Sequence, residues 1–157
     1  MSKISNILLN PLKYRWFVFT KLPSLFFWGV KVFSLDDAKC VVKTKYGWTN
    51  QNPFKSMYFS ALCGSAELST GGLVMHHIEG NGNWSMLVTD FKANFSKKAV
   101  GVISFICEDG LVVQDEIKKI MASQTGTGTF DLHSTAINEK GEMVASFVVS
   151  WSLKQKR

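Results

Sequence analysis

From Glu142 to Lys154 the chain alternates: Met143, Ala145, Phe147, Val149, Trp151 and Leu153 take one parity, and Val144, Ser146, Val148, Ser150 and Ser152 the other. A period of two over this length predicts a long half-buried strand. The turn cluster Asn138-Glu139-Lys140-Gly141 precedes it. Ahead of the turn, Thr127 to Ile137 places Phe130, Leu132 and Ala136 on one face, so the two strands form an antiparallel hairpin. Trp84 to Phe95 alternates Leu87, Phe91, Ala93 and Phe95 against Asp90, Lys92 and Asn94. With the nearly all-apolar run Val100 to Cys107 it predicts a second hairpin, turning at Ser96-Lys97-Lys98-Ala99. Between the hairpins, Val113, Ile117, Ile120 and Met121 mark one face of a short helix. Its acids Asp115 and Glu116 come before Lys118 and Lys119, the order the helix dipole favours. Val30 to Phe33 and Lys39 to Tyr46 predict two further strands around Leu35-Asp36-Asp37.

The remaining long segment is helical. Asn52 suits an N-cap and Pro53 a first helical position, which starts a helix running from Phe54 to about His77. Tyr58, Phe59, Leu62, Ala66, Leu68, Leu73 and Met75 surround it, and its only charges are Lys55 and Glu67. Gly64, Gly71 and Gly72 would each cost about 1 kcal/mol against alanine in an exposed helix. Close packing must offset that cost, so a helix apolar on nearly every side is expected inside a wrapping sheet. The order is strand, strand, buried helix, strand, strand, short helix, strand, strand. That order predicts an α+β domain in which a curved antiparallel sheet encloses one central helix, the hotdog arrangement.

Size agrees with one domain over residues 1–157, with a helical N-terminal segment, residues 1–28, packed upon it. The 157 residues are 46% hydrophobic and 13% aromatic, which excludes disordered and fibrous classes. Trp16, Phe17, Phe19, Phe26, Phe27, Trp28 and Phe33 crowd the first part of the chain, interleaved with Lys13, Arg15, Lys21 and Lys31. The uncharged run Leu22 to Val30 falls short of the roughly 20 residues a spanning helix needs. Such a segment either lies on a membrane surface or lays its aromatics over its own domain or a dimer partner; the second is the expectation.

A net charge of +6 and a pI of 9.3 favour an anionic partner. The basic residues are dispersed, part of them in the tail Lys154-Gln155-Lys156-Arg157, and no helix-turn-helix, RNP-like or zinc pattern accompanies them. A small anionic ligand therefore fits better than nucleic acid. Cys40, Cys63 and Cys107 have no CxxC or metal-ligand spacing, which reads as free thiols in a reducing, cytoplasmic setting. His76, His77 and His133 lack an acidic cluster, and no metal is expected.

Two motifs carry a family resemblance. Asn52-Pro53-Phe54-Lys55-Ser56-Met57-Tyr58-Phe59-Ser60-Ala61-Leu62, followed by Ala66-Glu67, resembles the central-helix start in one branch of hotdog proteins. That branch is catalogued as a domain of unknown function and grouped with acyl-CoA thioesterases. Phe95-Ser96-Lys97-Lys98-Ala99-Val100-Gly101 is similar to the turn that hotdog thioesterases place between two sheet strands. With the Trp16-to-Phe33 segment and the closing hairpin, the resemblance spans most of the chain.

The resemblance implies a dimer, or a dimer of dimers, whose sheets join edge to edge with sites at the interface. In the catalytic families, backbone N–H groups near the start of the central helix polarise the thioester carbonyl. A carboxylate further along activates water or attacks directly. Here that carboxylate is Glu67, with Asn52 placed to orient water or the carbonyl. Ser56, Tyr58, Phe59, Ser60 and Cys63 would line the substrate pocket, and Lys97 and Lys98 would meet coenzyme A phosphates. Coenzyme A enters as part of the substrate, and no separate cofactor is implied. Related thioesterases often read His-Gly-Gly where this chain has Tyr58-Phe59-Ser60. A dimer that binds acyl-CoA or an acyl chain without cleaving it therefore stands as the alternative to hydrolysis.

Overall fold

The computed structural model describes residues 3–156. Six strands form one antiparallel sheet: β1 (Lys31–Leu35), β2 (Cys40–Lys45), β3 (Asn83–Phe95), β4 (Val102–Cys107), β5 (Thr127–Ile137) and β6 (Met143–Lys156). Their order across it is β1-β2-β4-β5-β6-β3. Five helices accompany them: α1 (Lys3–Leu9), α2 (Pro11–Lys21), α3 (Pro23–Phe27), α4 (Phe59–Ile78) and α5 (Gly110–Ala122). The sheet curls around α4, giving the expected α+β arrangement. The N-terminal helical segment is divided by Pro11 and Pro23, each at the first position of a new helix.

The closing hairpin of β5 and β6 is present, with Phe130, Leu132, Ala136, Phe147, Val149, Trp151 and Leu153 buried. The second expected hairpin is not. β3 and β4 follow one another in the chain yet lie apart, because β3 pairs along its whole length with β6. Alternation reports which face a strand buries, not which neighbour it takes. The face of β3 also changes along its length. A bulge between Val88 and Asp90 shifts the parity, so Trp84, Met86 and Val88 pack inward before it and Phe91 after it. Leu87 is consequently exposed rather than part of the apolar face.

The central helix starts later than its sequence suggests. Asn52 does not cap it: residues 51–57 form a turn closed by a bridge between Gln51 and Met57, and the helix begins at Phe59 behind Tyr58. Asn52 uses its side chain to build that turn. Its Oδ1 accepts from the Phe54 and Ser56 amides, and its Nδ2 donates to Ser56 Oγ. A short polar side chain followed by proline serves a turn as well as a helix start, so the motif is ambiguous from sequence. In α5, Val113, Ile117 and Ile120 are buried as expected, whereas Met121 at the end of the helix is exposed.

Three side-chain hydrogen bonds tie α4 to separate strands. Ser65 pairs with Thr44 of β2 at 2.8 Å, Ser69 with Ser134 of β5 at 2.8 Å, and the Trp151 indole of β6 donates to Thr70 at 3.0 Å. The glycines perform the close packing expected of them. A methyl added at Gly71 would lie 2.9 Å from the Trp151 ring, and one at Gly64 would lie 3.0 Å from Leu25.

Two outcomes follow for urea unfolding. Ser69→Ala leaves the Ser134 hydroxyl buried without this partner and lowers stability by about 1–3 kcal/mol, part of which returns in the Ser69→Ala/Ser134→Ala double variant. Gly71→Ala forces the indole to move and costs about 1–3 kcal/mol. A Gly71→Ala protein as stable as wild type would show that α4 is not in close contact with β6.

Candidate functional site

The 51–57 turn aims the start of α4 at the 96–101 connection between β3 and β4. Met57 N–H donates to Ala99 C=O at 2.9 Å, and Lys98 Nζ donates to Phe54 C=O at 3.1 Å. Between them is an open cleft of about 330 Å³ whose walls include Asn52, Ser56, Phe59, Phe95, Lys97 and Lys98. Five of the nine sequence-predicted residues thus share one cavity. Phe95 was placed on a strand by its alternation, but only the three-dimensional path of β3 brings it to α4.

Tyr58 and Ser60 do not line this cleft, but the amides of Phe59, which does, and of Ser60 next to it are its nearest chemical feature. They belong to the first turn of α4, and neither donates a hydrogen bond among the described residues. Tyr58, the N-cap, supplies no side-chain acceptor. Free N–H groups at the positive end of a 20-residue helix can hold a developing oxyanion. The Phe59 side chain is exposed, stands edge-on to Tyr58 and forms part of the cleft wall.

The lysines differ from one another. Lys97 pairs with Glu142 at 2.7 Å, and this contact holds the Glu142 carboxyl below its ordinary range. Lys98 has no carboxylate partner among the described residues and is the freer cation of the two. Cys63 is half-buried outside this cleft, and burial pushes its thiol up.

Glu67 is on α4 seven residues beyond Ser60, about 10 Å along the helix axis. It faces Gly71 and the neighbouring Trp151 ring; a methyl on Gly71 would come within 3.3 Å of its Oε1. Among the described residues it forms no ion pair and no side-chain hydrogen bond, so the tie to Lys92 that its charge allows is not made; Lys92 instead lies 3.7 Å from Asp90. Burial without a partner raises its carboxyl to about 6.

The histidines have other duties. His76 Nε2 meets Asp37 at 2.7 Å and its Nδ1 meets Ser5 at 2.7 Å, while His77 bonds the Asp37 carbonyl, pinning α1 and the β1–β2 turn to the end of α4. His133 contacts Asp109, beside α5. Among the described residues no group of three or more His, Cys, Asp and Glu side chains could hold a metal ion.

Residues 14–153 match the family described as Domain of unknown function (DUF4442). The chain belongs to this family. No curated protein matches this DUF4442 chain. Solved structures resemble it, some of them described as thioesterases. A Pseudomonas aeruginosa protein of unknown function, described as a probable thioesterase, shares 19% identity at TM-score 0.75, covering 93% of this chain and 97% of its own. A Haemophilus influenzae thioesterase shares 9% at TM-score 0.67, covering 87% and 86%. A Staphylococcus aureus thioesterase shares 15% at TM-score 0.65, covering 83% and 97%. At these identities the likeness establishes the hotdog fold.

The raised carboxyl of Glu67 has a measurable sign. The folded DUF4442 chain binds this proton more tightly than the unfolded chain, so the resulting stabilisation is complete below pH 4.5 and lost as pH rises through about 6. Glu67→Gln removes the ionisation, and its stability should gain on wild type by up to about 2 kcal/mol across that window. Parallel urea unfolding over the same pH range measures the difference. A flat difference would mean that burial does not govern Glu67.

Proposed function

We propose that this protein hydrolyses acyl thioesters, with acyl-CoA as the substrate class, and works as a homodimer. The observation that carries this reading is the pairing on one helix of free first-turn amides with a partnerless, half-buried carboxylate. The Phe59 and Ser60 N–H groups would bind the thioester carbonyl oxygen. Glu67, ionised above pH 6, would take a proton from water as it attacks the carbonyl carbon, and the coenzyme A thiolate would leave. Lys98, with Lys97 beside it, would meet the phosphates.

About 10 Å separates these groups along α4, too far for one chain to apply both to a single carbonyl. A dimer in which β3 edges join resolves the distance, because one protomer's carboxylate can then face the other's first turn. The sheet ends in β3, whose outer edge has no strand beside it among the described residues, and its Leu87 and Phe95 are 65% and 45% exposed. A further support is spacing. Solved forms of the Staphylococcus aureus protein replace a glutamate and a glutamine fifteen positions apart, and Asn52 and Glu67 here are separated by the same interval.

One observation favours the binding alternative: the Asn52 amide is already engaged by its own turn, leaving less of it for water or substrate. Free-thiol release across an acyl-CoA panel distinguishes the two. Hydrolysis is expected, with kcat rising through pH 6 and reduced about 10²–10⁴-fold in Glu67→Gln. Acyl-CoA that raises the melting temperature without being cleaved would establish the binding module instead. Sedimentation should show a dimer that Leu87→Lys/Phe95→Lys converts to folded monomer; a dimer that survives both changes does not use this edge.

A further inference from the structure

Helix α2 is apolar on two opposite sides. Tyr14 and Val18 face the domain and are buried, Tyr14 donating to Val30 C=O at 3.0 Å. Leu12, Trp16 and Phe19 occupy an arc of about 60° on the other side. They are 81%, 70% and 51% exposed, and Phe27 of α3 adds another ring at 60%. Of the segment's aromatics, Tyr14 is buried and Phe17, Phe26 and Trp28 pack against the core, whereas Trp16, Phe19 and Phe27 are exposed on this chain. A second apolar face on an 11-residue helix calls for a second partner.

Charge identifies that partner. Arg15 and Lys13 flank the stripe on either side of the helix, and Lys21 ends it. The first 35 residues contain five basic residues and no Asp or Glu. Arg15 sits over the Phe26 ring at 5.3 Å, and none of Lys13, Arg15 and Lys21 is in an ion pair among the described residues. Two copies of the chain meeting here would bring these cations together with no carboxylate in the segment to oppose them. An anionic lipid surface has the complementary charge and takes aromatic rings at headgroup depth. Behind the stripe, a cavity of about 480 Å³ between the N-terminal helices and β1 shares Arg15, Phe26 and Phe27 with the outer face. Its size and its Leu8, Val18 and Val30 walls suit an apolar chain.

We propose that the outward face of α2 and α3 docks the protein on anionic membrane surfaces. Among the described residues no helix is long and apolar enough to cross a bilayer, so the contact is one of lying on the interface. This is independent of the thioesterase reading, and the two can fail separately.

Co-sedimentation of the full chain with vesicles tests it, using phosphatidylcholine alone and phosphatidylcholine with phosphatidylglycerol. Binding is expected to the anionic vesicles only, and to weaken as salt is added. Leu12→Ser/Trp16→Ser/Phe19→Ser, and separately Lys13→Gln/Arg15→Gln, should each weaken it about tenfold or more, with melting temperature and soluble thioester hydrolysis unchanged. Full-length protein left in the supernatant with anionic vesicles at low salt overturns the proposal. So does equal binding by the serine variant. If that variant instead lowers the oligomeric state of a protein that binds no vesicle, the face is an interface between copies, and the proposal falls.

Discussion

The orientation of α4 about its own axis is the constraint on which everything else rests. Burial cannot set it, because a helix that is apolar on every side gains equally from any rotation. The three hydrogen bonds to Thr44, Ser134 and Trp151 can, since each is satisfied in one rotation only and each is made in a dry interior. Together they direct Glu67 toward the β6 side of the helix. They also fix how far α4 projects past the sheet, and so where the Phe59 and Ser60 amides emerge.

The fold was legible where burial alone writes the pattern. From Ala145 to Leu153 β6 alternates as the sequence reads because one face is covered, although Met143 at its start is exposed and Val144 beside it buried, and α4 carries a single carboxylate because most of its surface is covered. Legibility failed where geometry depends on something other than burial. The β3 pairing follows from the path of the chain around α4, and its bulge reverses the alternation partway. Asn52-Pro53 fits both a cap and a turn by the same hydrogen-bonding ability. The candidate site was legible in its side chains and not in its backbone. Glu67 stands out as the one carboxylate on an apolar helix, and the lysines by their place in the family motif. The free donors at the start of α4 are backbone amides, which carry no signature in the identity of Phe59 or Ser60. The apolar stripe of α2 was visible as aromatic crowding, but its separation into a buried and an exposed side required the fold.

The N-terminal helices are joined to the domain by polar contacts as well as by apolar burial. Glu79, just past α4, accepts from the Ile4 amide at 2.8 Å, while His76 links Ser5 to Asp37. The end of α4 therefore holds α1, and Tyr14 holds α2 to the strand that follows it. The helix whose start forms the cleft thus anchors, at its other end, the segment that carries the outward aromatic face. A rigid link of this kind places the two surfaces in a fixed relation, about one helix length of 20 residues apart.

The isolation of Glu67 is informative because it is destabilising. A carboxylate kept only for structure gains from a lysine or an arginine, and a basic chain of this composition has many to offer. Such a partner would lower the carboxyl and leave a weak base. Burial with no cation does the opposite, raising it to about 6, where it is ionised at neutral pH yet retains appreciable affinity for a proton. The same surroundings explain why the position tolerates this. Gly71 leaves room beside the carboxylate, and Trp151 spends its one donor on Thr70, not on Glu67. A group denied every available partner by its neighbours is better suited to meeting a substrate than to holding the fold.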